Sequence, residues 1–121
     1  MISFIKDGMH EAGIAQNILD IVLDTAEANN AHHVVKVYVK VGSMTAIEPD
    51  CLAFAYDALK EETIASGSTL IIDEVAASGV CNDCKNRCDY DGYIMTCSKC
   101  GSFNVELLSG EELQVTEIEV E

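Results

Sequence analysis

Basic residues are scarce in this chain of 121 residues. Seven lysines and arginines stand against twenty-one aspartates and glutamates, a formal net charge of −14. So acidic a chain is repelled by phosphate backbones and by anionic headgroups, which argues against nucleic-acid and membrane partners. No run of eighteen apolar residues occurs, so no transmembrane helix is expected. The opening "MISFIKDG" is too short for the core of a secretion signal and lacks a basic leader and a small-residue cleavage site. No internal repeat, Walker loop, dinucleotide-binding glycine pattern or Ser/His/Asp signature is found, so no enzymatic activity is expected. Together these absences describe a soluble cytoplasmic protein that handles something other than nucleic acid.

About half of the residues are hydrophobic (49%), enough for a core. Residues 9–29 read as a helix, with Ile14, Ile18, Ile21 and Val22 on one stripe. "NNAHH" (Asn29–His33) ends it, and His32 and His33 fit a helix C-terminus, where imidazolium is favourable. "VVKVYVKV" alternates: Val35, Val37, Val39 and Val41 face one way, Lys36, Tyr38 and Lys40 the other, as in a half-buried strand closed by Gly42 and Ser43. Pro49 suits the first turn of a second helix carrying Leu52, Ala55, Tyr56 and Leu59, with Cys51 expected as a small buried hydrophobe. "TLIIDEV" (Thr69–Val75) and "ELQVTEIEVE" (Glu112–Glu121) read as strands. The second changes phase near Thr116 and Glu117. The resulting fold class is α+β: a small mixed β-sheet with two helices on one face. Residues 9–78 with 111–121 form this domain, residues 79–110 an inserted four-cysteine, zinc-ribbon-like lobe, and residues 1–8 an N-terminal extension.

Five of the six cysteines lie between Cys81 and Cys100. In a reducing compartment such clustering argues for metal rather than disulfides. Cys81-x-x-Cys84 and Cys97-x-x-Cys100 are separated by twelve residues and bring four thiolates to one tetrahedral point, the coordination Zn²⁺ prefers. Gly101 after the second pair lets backbone N–H groups turn toward the sulfurs. Four thiolates leave no position for water, so this zinc is structural. An iron–sulfur cluster or free redox thiols are the competing readings. Cys88 is a fifth thiol, either a substitute for Cys81 or Cys84 or a spare. Lys85, Arg87 and Lys99 balance Asp83, Asp89 and Asp91, so the lobe itself lacks the charge of a nucleic-acid-binding ribbon.

The other chemical feature is Met9-His10-Glu11, where the first helix begins. The first amide nitrogens of a helix carry no intrahelical bond. An imidazole beside such nitrogens can make the N-rich tetragonal site that Ni(II) or Cu(II) favours. The plain alternative is a surface histidine in a first turn, with Glu11 placed favourably against the helix dipole and Met9 as a packing residue.

Taken together, "MHEAGIAQNI" (Met9–Ile18), "VKVYVKVGSMTAIEPDCLAFAYDAL" (Val35–Leu59), the two CxxC pairs and the ending "EELQVTEIEVE" resemble the HypA/HybF family of hydrogenase nickel-incorporation proteins. The resemblance covers residues 9–121. It implies a nickel metallochaperone for [NiFe]-hydrogenase maturation that carries Ni²⁺ as transient cargo beside a structural Zn²⁺, some members also serving urease. It implies His10 as principal nickel ligand, Glu11 as an accessory or docking residue, Met9 as a backbone ligand and Glu48 as a weaker candidate near the site. Zinc falls on Cys81, Cys84, Cys97 and Cys100. The implied partners are a nickel-handling GTPase and the hydrogenase large-subunit precursor, with the chain a monomer or weak homodimer. Two features depart from the family. Eight residues precede Met9, so with them in place Met9 offers an amide rather than an α-amine. Cys88 adds a thiol to the zinc lobe. The rival function is a zinc-ribbon protein-interaction adaptor that ignores nickel.

Overall fold

A computed structural model describes residues 10–90 and 95–121. Met9 and the extension 1–8 lie outside the described residues, and so does Asp91. Among the described residues, two helices and six strands follow in the order α1 (His10–Ala28), β1 (Val34–Gly42), a 3₁₀ turn (Ser43–Thr45), α2 (Pro49–Leu59), β2 (Thr69–Val75), β3 (Ala77–Cys81), β4 (Arg87–Tyr90), β5 (Val105–Ser109) and β6 (Leu113–Val120). They form two three-stranded sheets, β2-β1-β6 and β4-β3-β5. The chain divides into two compact units. The first holds the described residues of 1–39, with 47–72 and 115–121; the second holds 40–46 and 73–114.

In the first unit α1 packs on α2. Ile14, Ile18 and Val22 are buried as their spacing requires, along with Leu52 and Tyr56 of α2 and Val37 and Val39 of β1. The α1 stripe is rotated from the expected one. Leu19 is buried while Ile21 is half exposed, because the buried arc runs through Ala15, Leu19, Val22 and Ala26. Cys51 corrects another expectation: it lies in α2 but is exposed. It precedes buried Leu52 by one residue, about 100° around the helix. Glu48 caps α2, its carboxylate accepting the N–H of Asp50 at 3.2 Å, and Pro49 follows where a missing N–H costs nothing. The buried Tyr56 hydroxyl lies 2.7 Å from the Ser68 hydroxyl, which donates to the Ala65 carbonyl at 2.6 Å, so no polar atom of this pair is left unmade.

β1 and β6 run antiparallel. His33 and Glu121 exchange backbone hydrogen bonds at one end, and the Gly42 N–H donates to the Glu112 carbonyl at the other. On β6 the alternation of exposure breaks where the sequence pattern does, with Thr116 and Glu117 both facing solvent. His32 and His33 lie beyond α1, exposed, and their N–H groups bond to the carbonyl of Glu121.

The second unit is built on β3, paired antiparallel to both β4 and β5. These three strands are absent from the sequence reading. Their residues (ASGVC, RCDY, VELLS) are few and only weakly branched, and a small cluster of Cys81, Cys88 and Cys97 with Cys84, Tyr90 and Val105 packs among them in place of an alternating apolar face. Gly79 sits where a Cβ would come within 2.7 Å of the Glu106 carbonyl oxygen and 3.0 Å of the Tyr90 ring.

Candidate metal centre

Each CxxC pair makes the same turn. The Cys81 carbonyl accepts the Lys85 N–H at 2.8 Å, and the Cys97 carbonyl accepts the Gly101 N–H at 2.9 Å. The Cys81 N–H then donates to the Asn86 carbonyl and the Cys97 N–H to the Ser102 carbonyl, both at 2.8 Å. Inside the turns, backbone N–H groups point at the leading sulfur: Cys84 N–H at Cys81 Sγ, and Lys99 and Cys100 N–H at Cys97 Sγ, all at 3.4 Å. Both turns end on a left-handed residue, Lys85 (φ 67°) and Gly101 (φ 76°). Glycine holds that conformation without strain, whereas a residue with a side chain is disfavoured there by about 1–2 kcal/mol. Lys85→Gly is therefore expected to stabilise the lobe by a net ~0.5–1 kcal/mol, after the entropy gained by the unfolded chain is subtracted. Thermal unfolding under fixed zinc would read this as a rise of several degrees; a fall would show that the lysine side chain makes a contact worth more than the strain.

The four sulfurs converge. Cys81 and Cys100 Sγ are 3.6 Å apart, Cys84 and Cys97 Sγ 3.5 Å, and all four lie within 4.8 Å of one another. Four thiolates at about 2.3 Å from a zinc ion would sit about 3.8 Å apart, so the cradle fits Zn²⁺ in spacing and donor type. Cys88 stands outside this group. It is buried on β4, takes a hydrogen bond from the Asn86 side-chain amide at 3.0 Å and lies 3.3 Å from the Ser98 hydroxyl, packing with Cys81 and Cys97 in the small core of the lobe.

Backbone donors divide the thiols by position. The leading cysteines are buried and held toward the thiolate: the Cys84 N–H lowers the pKa of Cys81, and the Cys100 N–H, with that of Lys99, brings Cys97 down to about 6. For Cys100 the Ser102 N–H pulls downward, but the neighbouring Cys81 thiol and burial outweigh it and raise Cys100 to about 12. Cys84 is raised too: the Asn86 N–H pulls its pKa down, and burial and the Cys97 thiol outweigh that pull. Zinc must displace the protons that remain. Since Cys97 is depressed below its ordinary value, it is already a thiolate at pH 7, and zinc uptake there should release fewer protons than there are ligands. Below pH 6 Cys97 takes up its proton, and zinc affinity should fall more steeply with each further pH step. Proton release measured during zinc titration at pH 7 and pH 5 checks this; equal release at both pH values would contradict it.

The two turns are strapped across one another. Asn86 of the first reaches Cys97 of the second, its amide 3.9 Å from Cys97 Sγ. Ser102 of the second donates to the Asp83 carboxylate of the first, which also accepts from Asn104 at 3.3 Å. The sequence reading passed over these residues; a clue to them is the Asn and Ser that follow the paired cysteines at matching offsets, Asn86 and Ser102.

At the other candidate site, His10 is the first residue of α1. Glu11 is half-buried, and its carboxylate accepts the backbone N–H of Glu48 at 3.2 Å. The weakest of the sequence candidates is thus brought beside the helix start, through its backbone, while its own carboxylate is engaged in capping α2.

An α/β unit joined to a lobe with a closed tetrathiolate cradle defines a metal-handling protein, its cradle built for structure rather than catalysis. Residues 9–120 match the family model described as hydrogenase/urease nickel incorporation, metallochaperone, HypA. The hydrogenase maturation factor HypA of Geotalea uraniireducens is 37% identical over 113 residues, 93% of this chain and 100% of that protein. That of Rhizobium leguminosarum bv. viciae is 34% identical over 112 residues, 93% and 99% of the two chains. Two solution structures share the fold: the Ni metallochaperone HypA from Helicobacter pylori (TM-score 0.64, 23% identity, 91% of this chain and 96% of that one) and a HypA protein (TM-score 0.67, 24% identity, 93% and 96%). The chain belongs to the HypA family of nickel metallochaperones. The family resemblance read from the sequence is borne out, and with it the nickel-chaperone function in hydrogenase maturation and the pairing of a nickel cargo with a zinc-type thiolate site.

Proposed function

We propose that this chain captures Ni²⁺ at the start of α1, on His10 with backbone nitrogens around it, that of Met9 among them, and releases it to the hydrogenase large-subunit precursor. A sparse site with one imidazole holds nickel loosely enough to give it up. The observation that carries this reading is the hydrogen bond from Glu48 N–H to the Glu11 carboxylate, which ties the α1 start to the α2 start. Glu11 then serves as a positioning residue and Glu48 approaches the site by its backbone. In this reading residues 9–78 with 111–121 are the nickel-handling domain, and residues 79–110 are a zinc domain whose Cys81, Cys84, Cys97 and Cys100 hold structural Zn²⁺. Capture and release need no bond-making at carbon, so the chain performs no catalysis. It acts in the cytoplasm as a monomer or weak homodimer, and a nickel-handling GTPase supplies or times the transfer. No helix among the described residues is long and apolar enough to cross a membrane.

The test is genetic. Cells lacking this chain should lose hydrogenase nickel and activity, recover both with the parent gene, and fail to recover with His10→Ala. Full recovery with His10→Ala would reject nickel capture on His10 and leave the interaction-adaptor function. Measuring urease nickel in the same cells decides whether that enzyme is served as well.

A further inference from the structure

We propose that the solvent face of α2, centred on Phe54, docks the nickel-accepting protein through an apolar pocket rimmed by lysine and arginine. This rests on the nickel-chaperone reading above and names the surface that serves it.

Phe54 is 78% exposed, although α2 already buries Leu52 and Tyr56 on its other side. The core therefore has no use for this ring, and water solvates it at a cost. Its helical neighbours at i−4, i−3, i+3 and i+4 are Asp50, Cys51, Asp57 and Ala58, all exposed. The result is a short apolar strip, Cys51–Phe54–Ala58, edged by carboxylates, with Glu61 one turn further on. Lys60, the cation of this stretch, is paired with one of these carboxylates, Asp57, and leaves Asp50 and Glu61 beside the strip. Lys60 Nζ donates to the Ser68 carbonyl at 2.7 Å, meets Asp57 at 2.9 Å and lies 5.8 Å from the centre of the Tyr56 ring.

An exposed aromatic ringed by acid is matched by a pocket with a basic rim: the ring supplies the buried anchor, and the charges steer and orient the encounter. A second copy of this chain is the poorer occupant. It would bring Asp50, Asp57 and Glu61 against an equally acidic surface of a chain carrying −14. The position fits transfer. Glu48 opens α2 and is bonded to Glu11, the residue after His10. Phe54 follows Glu48 by six residues, about 9 Å along the helix. A protein seated on Phe54 thus lies, along α2, about 9 Å from the turn that Glu48 shares with Glu11.

The experiment compares the parent with Phe54→Asp, Phe54→Leu and Asp57→Lys. Four quantities are read: Ni²⁺ affinity by calorimetry with the metal alone, helical circular dichroism, solution mass by light scattering, and hydrogenase nickel content in cells. Phe54→Asp should keep nickel affinity, circular dichroism and mass, and lower hydrogenase nickel about 10- to 100-fold, the loss expected of a buried anchor. Asp57→Lys should lower it in the same direction, and Phe54→Leu should retain most of it. Parental hydrogenase nickel in Phe54→Asp overturns the proposal. So does loss of nickel affinity, which would place Phe54 in the metal site, or a drop from dimer to monomer mass, which would make the face a self-contact. A parent chain that binds no nickel would instead fail the chaperone reading itself, a result visible before any variant is compared.

Discussion

Cys97→Ala should release zinc and unfold the lobe. Cys97 is the thiol the backbone prepares most, with two N–H groups at 3.4 Å and a pKa of about 6, and it is buried beside Cys81 and Cys88. Structural zinc contributes an apparent ~10–16 kcal/mol in zinc-finger peptides near neutral pH. The lobe has little to replace it: its small core consists of Cys81, Cys88 and Cys97 with Cys84, Tyr90 and Val105 around them. Removing one of four thiolates opens the coordination shell to water. Zinc content should fall from one per chain toward zero on brief exposure to a chelator, and limited proteolysis should cut within residues 79–110. Cys88→Ala, which removes a thiol outside the cradle, should keep its zinc. If Cys97→Ala retained a full equivalent against the same chelator, Cys88 would have taken its place, and the four-sulfur assignment would need revision.

Among the described glycines, Gly42→Ala should be the most damaging alanine substitution. A Cβ at Gly42 would fall 2.1 Å from the Gly110 carbonyl oxygen and 2.6 Å from the Glu111 nitrogen. Both are backbone atoms with no rotamer to give way. The same crossing holds three hydrogen bonds: Gly42 N–H to the Glu112 carbonyl and Met44 N–H to the Gly110 carbonyl, both at 2.7 Å, and Gly110 N–H to the Glu112 carboxylate at 2.8 Å. Gly110 cannot retreat either, since it is at φ 119° and its own missing Cβ would meet Ala77 at 2.8 Å. The strands must part to admit the methyl group, breaking these bonds. A cost of roughly 3 kcal/mol or more is expected, at the upper end for overpacking. Gly67→Ala, where a Cβ meets nothing within 4 Å, serves as the control and should be close to neutral. Denaturant midpoints for the two variants decide it; equal midpoints would mean the crossing is loose in solution.

Much of the first unit is legible because its signals are local. Pro49 marks the start of α2, and alternating valines mark β1. The paired CxxC turns are legible for the same reason, since a chelate needs fixed spacing. What escaped depends on which neighbours arrive. Leu19 and Ile21 are equally apolar, and only the packing partner of α1 decides that Leu19 is buried and Ile21 half exposed. Cys51 reads as a buried hydrophobe until α2 is seen to present it to solvent. The strands β3, β4 and β5 are too short and too weakly alternating to register, because the small cysteine cluster takes the place that apolar faces have elsewhere. The contact between Glu11 and Glu48 spans 37 residues, and nothing in either local pattern announces it.

The central claim is that His10 makes this chain a nickel carrier, and calorimetric titration of the zinc-loaded chain with Ni²⁺ tests it most directly. The parent should bind about one equivalent. His10→Ala should lose that binding at least tenfold while keeping its zinc and its circular dichroism. Equal nickel affinity in parent and variant would contradict the account.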